Sequence, residues 1–167
     1  MIIPLFLLFS GLTVADYCGN NKIAYGVEVH ANGHVNILCS RPGCHEKKYA
    51  ECPERAFEDS CNGSSTWVGG VDQQADGRLK LKCCEYDLLP KYGRLQYENL
   101  KLQPGEYFEG EEQNEGDEVV SFDLVSNIEQ RRTRRGVHYL LTVVRYECGK
   151  IPASDPLWYK QKSWPYF

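Results

Sequence analysis

Past its first fourteen residues the chain holds no apolar run near the roughly 20 residues a membrane helix needs, so the expected product is soluble and released. It also lacks any excess of positive charge. Its 19 Lys and Arg face 23 Asp and Glu, for a net charge of −4, which argues against nucleic acid as a partner and gives little attraction to anionic lipid. The four histidines, His30, His34, His45 and His138, fit no HExxH or HxH spacing, so no metallohydrolase motif stands out. Neither a repeat nor a heptad nor a low-complexity tract is visible, which sets aside solenoids and coiled coils.

What is present begins with a leader. Residues 2–14 are almost wholly hydrophobic and stop at Thr13-Val14-Ala15, with small residues at both recognition positions of a signal peptidase. Residues 1–15 therefore read as a secretory signal peptide cut after Ala15, although no Lys or Arg precedes the apolar stretch. Export leads to an oxidising compartment, where an even number of thiols forms disulfides rather than metal sites or nucleophiles. Cys18, Cys39, Cys44, Cys52, Cys61, Cys83, Cys84 and Cys148 are expected to make four bridges. Their pairing stays open, since eight cysteines allow on the order of a hundred connectivities.

The roughly 150 residues after the leader fit one domain, and local patterning makes it mainly β with short helices, a small α+β unit stapled by disulfides. IAYGVEV and HANGHVNILC flank Asn32-Gly33, whose positive φ values suit a tight hairpin, so Val27, Val29, Val35 and Ile37 share a face. Residues 41–65 are loop-rich, with a short helix expected near 46–50. TWVGGV and LKLKCCEYDLL are two strands around Asp76-Gly77. Neighbouring side chains on a strand point to opposite faces, so Cys83 and Cys84 are expected to bridge different partners. VVSFDLVSNI and VHYLLTVVRYEC are longer strands joined by the basic turn EQRRTRRG. Residues 149–167 form a tail with three prolines and five aromatics.

Groups able to carry chemistry are few. His30 and His34 straddle a turn and Cys44 adjoins His45, but solvated histidines and an oxidised cysteine are the simpler readings, and no metal or cofactor is expected. Seven carboxylates between residues 106 and 118 match no EF-hand spacing and read as a solvated acidic loop. A glycosidase built on two of them, such as Glu109 and Glu111, is the weakest reading, so no catalytic residue is expected. Arg131, Arg132, Arg134 and Arg135 gather at one turn. They form either a plain solvated tip, a grip for sulfated glycosaminoglycan, or an R-x-R-R site for a secretory convertase cutting after Arg135. Asn62-Gly63-Ser64 is an N-glycosylation sequon.

The string YCGNNKIAYGVEVHANGHVNILCSRPGCHEKKYAECPERAFEDSCNGSSTWVGGVD, then LKCCEYDLL, YGRLQYENLKLQPGEYFEGEE and LTVVRYEC, resembles the Wart domain of the nematode warthog proteins, which are hedgehog-related and secreted. The likeness runs over residues 17–148 and includes all eight cysteines. It implies a Wart-like domain over 16–148 in an extracellular, non-enzymatic, developmental protein of epidermis or cuticle. Such a protein acts as an intercellular signal or matrix ligand toward a receptor or matrix component, or alternatively is itself a cuticle constituent. Many members continue into a Hog autoprocessing domain. Here only 19 residues follow Cys148, so self-cleavage and lipid attachment are not carried over.

Overall fold

A computed structural model of the chain describes residues 14–19, 22–41 and 50–148. In order the elements are β1 (Val14–Tyr17), β2 (Ile23–Val29), β3 (Val35–Ser40), β4 (Ala50–Glu51), β5 (Thr66–Gln73) and β6 (Leu79–Tyr86). There follow α1 (Leu89–Tyr92), β7 (Gly93–Leu102), β8 (Tyr107–Glu109), β9 (Glu112–Glu115), β10 (Glu118–Thr133) and β11 (Gly136–Glu147). They make three sheets of order β1-β5-β6-β4, β7-β11-β10-β9 and β3-β2-β8, antiparallel throughout. The mainly β class holds.

The β2–β3 hairpin forms with Val29 opposite Val35 and Val27 opposite Ile37, and all four side chains are buried. Its turn differs from the expected one. Only Gly33 takes a positive φ, 82°, while the His30 and Gly33 amides donate to His34 and His30 carbonyls at 2.8 Å each. That is a three-residue connection with its glycine left-handed, and it spares Asn32 the strain a two-residue turn would impose. Asn32 instead accepts the His34 amide at 2.9 Å through Oδ1.

The one helix among the described residues is the four-residue α1, with proline in its first turn, where the missing N–H costs nothing. The helix expected near 46–50 lies mostly outside the described residues, and Ala50 itself is in β4. The acidic stretch is not a loop. It contains β8, β9 and the start of β10, with Glu115 opposite Glu118 across Gly116-Asp117. Every residue of β9 is exposed, so no apolar alternation marks it as a strand in the sequence. The basic turn is also shorter than expected, because β10 continues through Arg131, Arg132 and Thr133, and Thr133 pairs with Gly136.

Val27, Val29, Val35, Val71, Leu81, Val125, Ile128 and Leu141 from all three sheets meet in one buried cluster. A second cluster is aromatic, with Trp67, Tyr86, Tyr92, Phe122 and Tyr146 around Leu89 and Leu124. Residues 121–126 of β10 are buried without a break, because the strand carries core on both faces. Disulfides join Cys18 to Cys39, Cys52 to Cys84 and Cys61 to Cys83. Cys83 and Cys84 do go to different partners, on opposite faces of β6. Cys148 is disulfide-bonded as well, and Cys44 lies outside the described residues.

Candidate binding surface

Three hairpin turns meet at one end of the molecule, where polar side chains tie them together above the shared core. The buried Tyr139 hydroxyl donates to the Gly33 carbonyl at 2.8 Å, and Gln73 Nε2 reaches the same carbonyl at 3.3 Å. Gln130 Nε2 donates to the Gly77 carbonyl at 2.9 Å and to the Tyr139 hydroxyl at 3.3 Å. Its Oε1 accepts the Leu79 amide at 3.2 Å. One network thus holds the β2–β3, β5–β6 and β10–β11 turns in fixed relation. Burial pushes the Tyr139 phenol pKa up, against the smaller downward pulls of Gln130 and Arg132.

On this frame the four sequence-predicted arginines separate into different roles. Arg131 pairs with Glu129 on its own strand. Arg132, on the other face, donates from Nη2 to the Asp76 carbonyl at 3.2 Å and so spans two turns. Arg134 and Arg135 form the two-residue connection itself and are exposed. Thr133 closes it, its Oγ1 donating to the Gly136 carbonyl at 3.1 Å and accepting the Arg135 amide at 3.2 Å. A fifth guanidinium, Arg78, was not singled out from sequence. The Asp76 carboxylate accepts the Arg78 backbone amide at 3.0 Å and Arg78 Nε at 2.6 Å, and these hydrogen bonds hold its pKa below the usual range. The Asp76-Gly77 turn signal placed Arg78, but nothing local showed which other turn it would meet.

The remaining candidates form no single site among the described residues. His30 and His34 come together, ring centroids 5.9 Å apart, while His138 sits on β11 opposite Arg131; His45 and Cys44 lie outside the described residues. Among the described residues no group of three or more His, Cys, Asp and Glu is placed to hold a metal ion. Glu109 and Glu111 border a shallow groove of about 320 Å³ with Tyr25, Phe122 and Asp123. Glu111 is paired to Arg145 at 3.2 Å. Arg145 also grips the buried Asp123 through two bonds of 2.8 and 2.9 Å, which raise its own pKa. A charged residue inside each long apolar run, Asp123 in VVSFDLVSNI and Arg145 in VHYLLTVVRYEC, was the available sign of that pair. Asn62 is exposed, its Nδ2 donating to Ser60 Oγ at 2.6 Å.

A family model described as the Warthog N-terminal signalling domain matches residues 15–149. Warthog protein 5 of Caenorhabditis elegans is 58% identical over 164 residues, which cover 98% of this chain and 93% of that protein. Warthog protein 3 of the same nematode is 42% identical over 96% of this chain and 92% of its own length. Warthog protein 1 is 32% identical over 87% of this chain, but only 38% of that longer protein is covered. No solved structure matches. With a signalling-domain model spanning the disulfide-stapled strands, and such identity along nearly the whole sequence, the chain belongs to the Warthog family.

Proposed function

We propose that the protein is exported, cut after Ala15, and works outside the cell as a non-enzymatic hedgehog-related ligand, an intercellular signal or matrix ligand in development, epidermis or cuticle. The observation that carries this reading is the signalling-domain match over residues 15–149 on a body held by disulfides and three interlocked sheets. A rigid surface loses little ordering entropy on binding. Cleavage after Ala15 leaves Asp16 and Tyr17 paired with Val71 and Gly70, and Asp16 Oδ2 accepts the Ile37 amide at 2.9 Å. The bridge from Cys18 to Cys39 then ties down the new N-terminus. A glycan on Asn62 would project from an exposed turn away from the arginine-bearing end.

The test uses the secreted protein, labelled and applied to epidermal cells and to isolated cuticle. Saturable binding, competed by unlabelled protein and extractable without reductant, is the expected result. Incorporation that only reductant releases favours a cuticle constituent instead. Absence of binding to either material overturns the proposal.

A further inference from the structure

We propose that the end formed by the β5–β6 and β10–β11 turns is a binding site for a sulfated polysaccharide, held by the guanidinium groups of Arg78, Arg132, Arg134 and Arg135. The extracellular reading above supplies only the setting in which such a ligand is met; the chemistry of the tip stands by itself.

Positive charge is concentrated at this end of an acidic molecule. Arg78, Arg131, Arg132, Arg134 and Arg135 crowd two turns that contain only Asp76 and Glu129 as counter-charges. Among the described residues no carboxylate pairs with Arg134 or Arg135. Arg132 spends one N–H on a neutral carbonyl, and the one carboxylate of its turn partner, Asp76, is already engaged by Arg78. An excess of this kind, exposed and unscreened at short range, sets the local potential whatever the net charge of the whole chain.

The cations are also preorganised. Arg78 and Arg132 are held against the same residue, Asp76, one through its carboxylate and one through its carbonyl. Beneath them Gln130 and Tyr139 fasten the turns together. A planar guanidinium fork matches the oxygens of a sulfate through paired hydrogen bonds, and a frame already fixed spares the entropy of assembling it.

Shape favours a chain over a flat surface. Arg131 and Arg132 face opposite sides of β10, and Arg134 with Arg135 cap it, so the cations surround a narrow ridge. At the other end of the 16-residue β10, about 50 Å away at some 3.3 Å per residue, Glu112, Glu115, Asp117 and Glu118 are all exposed. A long polyanion is repelled there and attracted at the tip, which fixes end-on binding.

The experiment measures binding of the secreted full chain to heparin in 150 mM NaCl (order of physiological ionic strength), with desulfated heparin and phosphatidylserine vesicles as parallel probes. Wild type is expected to bind heparin and to lose it with rising salt and on desulfation. The double variant R134A/R135A, which alters only exposed turn side chains, is expected to bind at least about tenfold more weakly while unfolding at an unchanged temperature. A charge-matched pair on the β7 rim, R94A/K101A, is expected to change affinity by less than about twofold. Equal weakening by both pairs, undiminished binding in R134A/R135A, or stronger binding to vesicles than to heparin overturns the site. Tissue binding scored on the same wild-type protein tests the function proposed above separately, so either can fail while the other stands.

Discussion

At the level of single residues, two buried polar groups have the most at stake. Asp123 is 2% exposed and, among the described residues, its charge is met by Arg145 alone of the basic side chains, through the two bonds described. Cutting Arg145 to Ala leaves that carboxylate buried without a counter-charge, held by the Glu111 amide at 3.0 Å, a loss of roughly 3–5 kcal/mol. Urea unfolding of R145A against wild type checks it, and the apolar pair D123L/R145M is expected to recover part of the deficit. Glu111, 73% exposed, contributes little by comparison. Tyr139 is the second case. Its folded pKa lies above the free value of 10.0, so its contribution is complete below pH 10 and is lost as pH rises through the folded value. Y139F is expected to cost about 1 kcal/mol at pH 7 and to flatten the decline in stability above pH 10. Lys82 works in the opposite sense, since burial lowers its pKa and removing its proton relieves a penalty. Comparing Y139F with wild type across the same pH range isolates the phenol.

Elements carry the next set of consequences. The register of β5 against β6 slips between Val68 and Gly70, and an added Cβ at Gly69 would collide with Cys84 Sγ and lie 3.6 Å from Cys52 Sγ. The glycine is there to admit the bridge. G69A is therefore expected to lower stability by about 1–3 kcal/mol and to leave Cys52 and Cys84 partly open to thiol labelling, whereas the Cys61–Cys83 bridge on the other face stays closed. The β10–β11 hairpin bears on the convertase reading of Arg132 to Arg135. Its scissile bond, Arg135–Gly136, sits in a closed two-residue turn between paired strands. Native protein is expected to resist a dibasic-specific secretory convertase, and denatured protein to be cut after Arg135, as intact-mass measurement would show. The edge strand β7 carries two irregularities in its pairing with β11 and a non-glycine residue at positive φ, Asn99 at 59°. These bend it away from further strand addition even though Leu95 and Tyr97 are exposed.

For the molecule as a whole, covalent closure and charge distribution matter most. The bridges enclose loops of 21, 32 and 22 residues, long enough that losing one is expected to cost roughly 2–5 kcal/mol. Against a total of about 5–15 kcal/mol for a domain, that fraction separates export from retention. A C61S/C83S pair is expected to be secreted at a small part of the wild-type level, read by immunoblot of medium against cell lysate. Charge is divided along β10, basic at one end and acidic at the other, so the modest net value of −4 conceals two ends of opposite character.

Much of this was written locally. Apolar alternation placed β2, β3 and β6, the short glycine-containing apolar run TWVGGV placed β5, the Asn-Gly and Asp-Gly steps placed two turns, and adjacency alone sent Cys83 and Cys84 to different partners. Such features depend on neighbours within a few residues, which is the range over which side-chain periodicity and turn chemistry act. β9 was hidden because both its faces are solvated, and the course of β10 through Arg131 and Arg132 because charged side chains give no strand signal. The choice of disulfide partners, the clasp of Gln73, Gln130 and Tyr139 on Gly33 and Gly77, and the joining of Arg78 to Arg132 across 54 positions of sequence were decided only by tertiary structure. Each requires groups far apart in the chain to meet, and that meeting is set by how three sheets share one core.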